Sequence, residues 1–254
     1  MINIKVVYIL WLREMKRFFR AKSRVIGTLG MPLFFLAFLG FGFRGMPIPG
    51  LAEGVGYIEF LVPGIIGMSM LFSSMFAGIS VLWDREFGFL KEIMVAPVSR
   101  VSIVIGRIAG GIMTSLFQAI LILSISILMG FKITGISSLL WAVVFLILIS
   151  ATFIGLGLIF ASRMRDIHGF SLIMNFIIFP LFFLSGAVFP FDNLPGWVRG
   201  LSYIDPLTYG VDGLRGALIG ISSFPLIYNF TILVISSVAM VLLGTYFFEK
   251  SEYV

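Results

Sequence analysis

The residues with the greatest capacity for chemistry lie in one short segment, Trp83 to Arg100. Asp84, Arg85, Glu86, Lys91, Glu92 and Arg100 place both signs of charge there, and Phe87, Leu90 and Met94 form an apolar stripe at helical spacing. Gly88 follows the first of these, and Pro97 stops the pattern, because proline removes a donor and clashes with the preceding turn. A short amphipathic helix of mixed charge is suited to docking in a groove of another protein rather than to bond making. Acids contribute little to membrane topology, so Asp84, Glu86 and Glu92 need a role beyond anchoring. The remaining inventory excludes whole chemistries. With no cysteine in the chain, disulfides, thiolate catalysis and cysteine-ligated metals are ruled out. The single histidine, His168, leaves little for a zinc site. No glycine is followed by lysine, so the chain lacks a phosphate loop and is expected to bind no cofactor itself.

A second informative segment follows Ser185 and Gly186. Pro190, Pro195 and Pro206, the last preceded by Asp205, punctuate residues 190–221, and Arg215 lies near its close. Proline biases the residue before it away from the helix, yet 197–204 and 207–221 are too apolar for a solvated loop. Two short helices dipping into the outer leaflet fit this pattern, provided other parts of the protein or a water-filled cavity cover their broken backbone. Elsewhere the polar residues are sparse. Glu59 is placed to snorkel at the outer end of its span. Gln118 and Asn175 sit mid-span and are expected to bond between helices, and Gly106 and Gly110 have the small-xxx-small spacing of close helix packing.

The elements that must position these residues follow from composition. Of 254 residues, 59% are hydrophobic and only 12% charged. A soluble domain carries about twice that charge fraction. Six continuous apolar runs, 25–43, 57–82, 103–130, 138–161, 170–189 and 224–248, are long enough to cross a bilayer as helices. Continuous rather than alternating runs argue against a barrel. Fourteen of the eighteen Lys and Arg fall in 1–24, 83–107, 162–169 and at Lys250, leaving Arg44, Lys132, Arg199 and Arg215 for the other side. That asymmetry predicts that both termini are cytoplasmic. It also explains the net charge of +6 without nucleic acid. Residues 1–24 are expected to be retained as a basic amphipathic helix in the inner interface. Ile4, Tyr8, Trp11, Met15 and Phe18 form its apolar stripe, and Lys5, Arg13, Lys16, Arg17 and Arg20 face anionic headgroups. With no internal repeat or linker, 1–254 is read as one all-α membrane domain.

Taken in order along the chain, these motifs resemble the permeases of type-2 ABC exporters. The resemblance rests on Phe60-Leu61-Val62-Pro63-Gly64, on Asp84-Arg85-Glu86-Phe87-Gly88 running to Ala96-Pro97-Val98-Ser99-Arg100, and on Phe179 to Gly186. It continues through Phe189-Pro190, Leu194-Pro195-Gly196-Trp197 and Asp205-Pro206-Leu207-Thr208-Tyr209 to Arg215. It implies that 84–100 is a coupling helix docking on a separate ATPase subunit, which would hold the ATP and magnesium. It implies also that 190–221 is a re-entrant external gate. Two permeases, identical or sister chains, and two ATPase subunits would complete an exporter of an amphipathic, drug-like or lipid-linked substrate in the cell membrane. The alternative is an ion-driven transporter, which needs paired mid-membrane carboxylates or a histidine relay. Only Glu59 comes near that requirement. A membrane enzyme is disfavoured: Asp212 begins a fragment like that of lipid phosphotransferases, but no aspartate follows it.

Overall fold

A computed structural model describes residues 3–43, 56–87 and 99–250, which form helices and connecting turns, with no strand among them. In chain order the helices are α1 (Ile4–Arg20), α2 (Lys22–Gly42), α3 (Tyr57–Ala77), α4 (Ile79–Glu86), α5 (Arg100–Leu128), α6 (Ile136–Arg163), α7 (Ile167–Leu184), α8 (Gly196–Ser202), α9 (Pro206–Ile219) and α10 (Leu226–Lys250). Local chemistry sets several of these starts. The Asn3 side chain accepts from the Lys5 amide, and the Ser99 hydroxyl from the Ser102 amide. Asp166 accepts from His168 and Gly169, and Asp205 from Leu207 with Pro206 at the first helical position. Each supplies an acceptor to an otherwise orphaned helix N–H. Glu59 does related work, accepting from the Gly56 amide at 3.0 Å.

Among the described residues, six stretches are long and apolar enough to cross a membrane: Val25–Gly42, Tyr57–Asp84, Arg100–Leu128, Ser137–Arg163, Ile167–Leu184 and Leu226–Lys250. Two differences from the expected spans have physical causes. Span two is broken at Gly78 between α3 and α4. A Cβ at Gly78 would come 2.7 Å from the Gly157 carbonyl, and one at Gly157 would come 2.6 Å from that of Met75. Two backbones meet there, and apolarity alone carries no mark of it. Span five ends at Leu184 rather than at 189, because Ser185 caps the helix and Gly186 turns the chain at φ 70°.

The central helix is α3, buried over most of its length and packed against α2, α5, α6, α7 and α9. Next to it, α6 packs on α9 and α10. The outer helices present Phe34, Phe38, Leu172, Phe176, Ile235 and Leu242 outward. Apolar residues on both the inner and outer faces are what lipid, not water, tolerates. One end of the bundle gathers Arg13, Arg17, Arg100 and Arg107 and is called here the basic end. The far end carries α8 and α9. Helix α1 joins the basic end by packing on α5. Cβ atoms at Gly106 and Gly110 would lie 2.9 and 2.8 Å from Leu10 and Glu14, so these glycines let the two helices approach closely. The packed face of α1 includes Leu10 and Phe18, while Ile4, Tyr8, Ile9 and Phe19 remain exposed. The expected single apolar stripe is thus divided between protein contact and open surface.

Candidate functional site

The basic end is organised around one carboxylate. Asp84, near the end of α4, is only 5% exposed. It is bound by two guanidinium groups from different helices. Arg13 of α1 reaches both carboxylate oxygens, with Nη1 at 3.1 Å from Oδ2 and a second, closer contact to Oδ1. Arg107 of α5 donates Nη2 to Oδ2 at 2.6 Å and Nη1 to the Ser80 hydroxyl at 3.3 Å. Beside them, the Arg17 guanidinium lies 4.8 Å from the Trp83 ring. Arg107 is itself 5% exposed. A buried charge of this kind is tolerated because its counter-ion and hydrogen bonds are already in place. The arrangement joins α1, α4 and α5 at the point where the chain leaves span two.

Sequence-predicted residues separate into distinct environments. Asp84, one of the residues expected to couple to a partner, is buried with its carboxylate held by two arginines. Glu86 and Phe87, by contrast, are exposed, the latter by 81%. Arg85 belongs to α4. Gly88, Leu90, Lys91, Glu92 and Pro97 lie outside the described residues. Arg100, at the start of α5, donates to the Glu249 carbonyl at 2.5 Å and so meets the end of α10. From sequence, Arg13 is expected to face headgroups and Trp83 only opens the charged segment, while Ser80 and Arg107 carry no assigned site role. Arg107 carried a usable signal: a cation inside an apolar helix requires a partner.

The far-end residues are brought together in part. Arg215, 5% exposed, donates to the Gly186 carbonyl at 3.0 Å and stacks 3.8 Å from the Phe60 ring. Ser185 is buried and bonds back to Phe182. Pro190 precedes the short turn Phe191–Asn193, and Pro195 precedes α8. Asp205 and Pro206 stand where α8 gives way to α9. Asp212, which sequence reading set aside, accepts from the Ser223 and Phe224 amides and from Asn229, with Arg215 at 4.0 Å. Rings of Phe191, Tyr203, Tyr209, Phe224 and Tyr228 close over this turn at centroid distances of 5.4 to 6.0 Å.

A cavity of about 710 Å³ extends from the charged cluster into the bundle. Arg17 and Arg107 line it, with Gln118 further along α5 and Phe72 and Phe76 on α3. Gln118 donates to the Thr28 hydroxyl at 2.9 Å, an interhelical bond of the expected kind.

A helical bundle with, among the described residues, six membrane-length helices and an apolar outer surface defines a polytopic membrane protein. The family model of the ABC-2 type transporter matches residues 5–219, and the chain belongs to that family. It is 32% identical over 240 residues to the inner membrane transport permease YadH of Escherichia coli strain K12, covering 92% of this chain and 91% of that protein. It is 29% identical over 200 residues to the transport permease ycf38 of Porphyra purpurea, covering 77% and 68%. Nodulation protein J of Rhizobium meliloti strain 1021 is 30% identical over 202 residues, covering 79% and 76%.

Proposed function

We propose that this chain is the membrane-spanning permease subunit of an ATP-driven exporter, without enzymatic activity of its own. It would move an amphipathic substrate and couple to a separate ATP-binding subunit. Membership of the ABC-2 family supports the transport role. The observation that carries the coupling is the placement of Asp84. The segment 84–100 begins at a buried ion cluster that joins α4 to α1 and α5. A force applied to that segment from the aqueous side reaches three helices through one carboxylate. Glu86 and Phe87, just beyond it, are exposed and available for docking. In this reading the basic end and both termini face the cytoplasm, as charge asymmetry favours. Helix α1 rests in the inner interface, with Ile4, Tyr8 and Ile9 toward lipid. Helices α8 and α9 re-enter the outer leaflet as an external gate. A second permease completes the path.

Affinity purification of the tagged chain from its own membranes in mild detergent tests the proposal. An ATP-binding subunit should copurify, and Glu86→Ala should weaken its retention while leaving the permease in the membrane. Purification without such a subunit, together with transport driven by an ion gradient alone, would refute the coupling and restore the ion-driven alternative.

A further inference from the structure

The cavity described above contains hydrogen-bonding groups that the protein itself does not satisfy. Ser69 Oγ, Arg107 Nε and Gln118 Oε1 are buried with no hydrogen-bond partner. Their residues are 2%, 5% and 3% exposed, and all three line this one cavity. Buried polar atoms are ordinarily paired, so groups left unpaired by the protein and gathered at a single space mark a site able to hold a polar ligand. Their chemistry is specific. Arg107 Nε is a donor on a cation whose other nitrogens are held by Asp84 and Ser80. Gln118 Nε2 is committed to Thr28, which leaves its Oε1 as an acceptor. The charged groups lining the cavity are Glu14, Arg17 and Arg107, and the adjacent Asp84 and Arg13 offset one another. The balance is positive. Arg107 and Gln118 are separated by about 16 Å along α5 at the rise of an α-helix. The same cavity is lined by Met31, Met68, Phe72 and Phe76.

We propose that this cavity binds an anionic single-chain amphiphile. Its acid group accepts from Arg107 Nε and Arg17, its chain lies on the Phe72–Phe76 wall, and a hydrogen-bond donor near its far end meets Gln118. This inference names a substrate class for the transport reading and rests on it. It requires no ATPase, so it is tested on the permease alone, and its failure leaves the copurification result untouched.

Trp83 lines the cavity and serves as the reporter once Trp11, Trp141 and Trp197 are replaced by Phe. In phosphatidylcholine nanodiscs, 2-bromododecanoate, whose bromine lies beside the carboxylate, should quench Trp83 saturably, because Arg17 holds the acid group next to that ring. Dodecanoate should displace it, and 12-hydroxydodecanoate should do so at lower concentration, whereas dodecyltrimethylammonium should not. Arg17→Gln should weaken carboxylate binding about tenfold, the scale of a hydrogen bond to a charged group. Gln118→Leu should erase the preference for the hydroxylated chain. The protein with Trp83 as its one tryptophan, and with Arg17 and Gln118 intact, decides the matter even if a further variant fails to fold. Equal displacement by carboxylate and ammonium overturns the proposal. Displacement by inorganic phosphate alone would show an anion site without an apolar chain, and loss of quenching in phosphatidylglycerol nanodiscs would show a bilayer lipid as occupant. Either result also overturns it.

Discussion

Asp84 and Asp212 are both buried aspartates, 5% and 4% exposed, yet they are held in opposite ways. Asp84 depends on side chains 71 and 23 positions away, carried by separate helices. Asp212 is satisfied by donors only 11, 12 and 17 positions on, two of them backbone amides of the turn it closes. The first is a joint whose bonds exist only while α1, α4 and α5 keep their arrangement. The second is a local clamp that makes α9 and the start of α10 one unit. A movement transmitted between helices should therefore be felt at Asp84. The far end, held from within, should respond as a body.

The largest effect is expected from Asp84→Ala. It leaves a buried Arg107 and a half-buried Arg13 without a counter-charge, and should cost about 3–5 kcal/mol. Thermal unfolding in nanodiscs measures this, and adding Arg107→Met should recover part of the loss. Next comes Asp212→Ala. Three donors lose their acceptor, for about 2–4 kcal/mol in all. Hydrogen exchange should accelerate at Ser223 and Phe224 but not in α1; acceleration across the whole bundle would remove the distinction between joint and clamp. Gly157→Ala should be milder, about 1–3 kcal/mol by overpacking against the Met75 carbonyl, and should show as a lowered melting temperature with the fold retained.

The smallest effect concerns Asp166, which is fully exposed. Backbone N–H bonds from Gly169 and His168 hold its carboxyl below the usual carboxylate range. Its contribution is therefore present above the unfolded carboxylate pKa and lost as pH falls through the lower, folded value. Asp166→Asn keeps a capping acceptor and should flatten that acidic dependence, measured as exchange of the His168 and Gly169 amides against pH. An unchanged acid profile would count against the assignment.

Much of the architecture was legible because a bilayer writes its demands into composition. Twenty or so apolar residues must be continuous to span it, and prolines mark where helices stop. That is why the spans, and the meeting of α8 and α9 at Asp205-Pro206, could be read directly. The break at Gly78 could not, since it arises from the approach of Gly157, distant in sequence and unmarked by periodicity. The ion cluster was hidden for a related reason. Arg13 and Arg17 read as cations for headgroups, and Arg107 as one more basic residue in a topology count. Only the fold shows Arg13 and Arg107 turned onto Asp84, and Arg17 against Trp83. The unpaired atoms of Ser69, Arg107 and Gln118 converge from two helices, a coincidence no linear pattern records.

The central claim is that the basic end receives the ATPase and the far end does not. The cysteine-free chain allows a direct measurement. Single cysteines would be placed at Phe87, 81% exposed at the basic end, and at Ile204, 79% exposed at the far end. Each variant would then be treated in native membranes with a short photoactivatable thiol reagent. The account predicts an adduct with an ATP-binding subunit from position 87 and none from position 204. An adduct from position 204 and none from position 87 would contradict it.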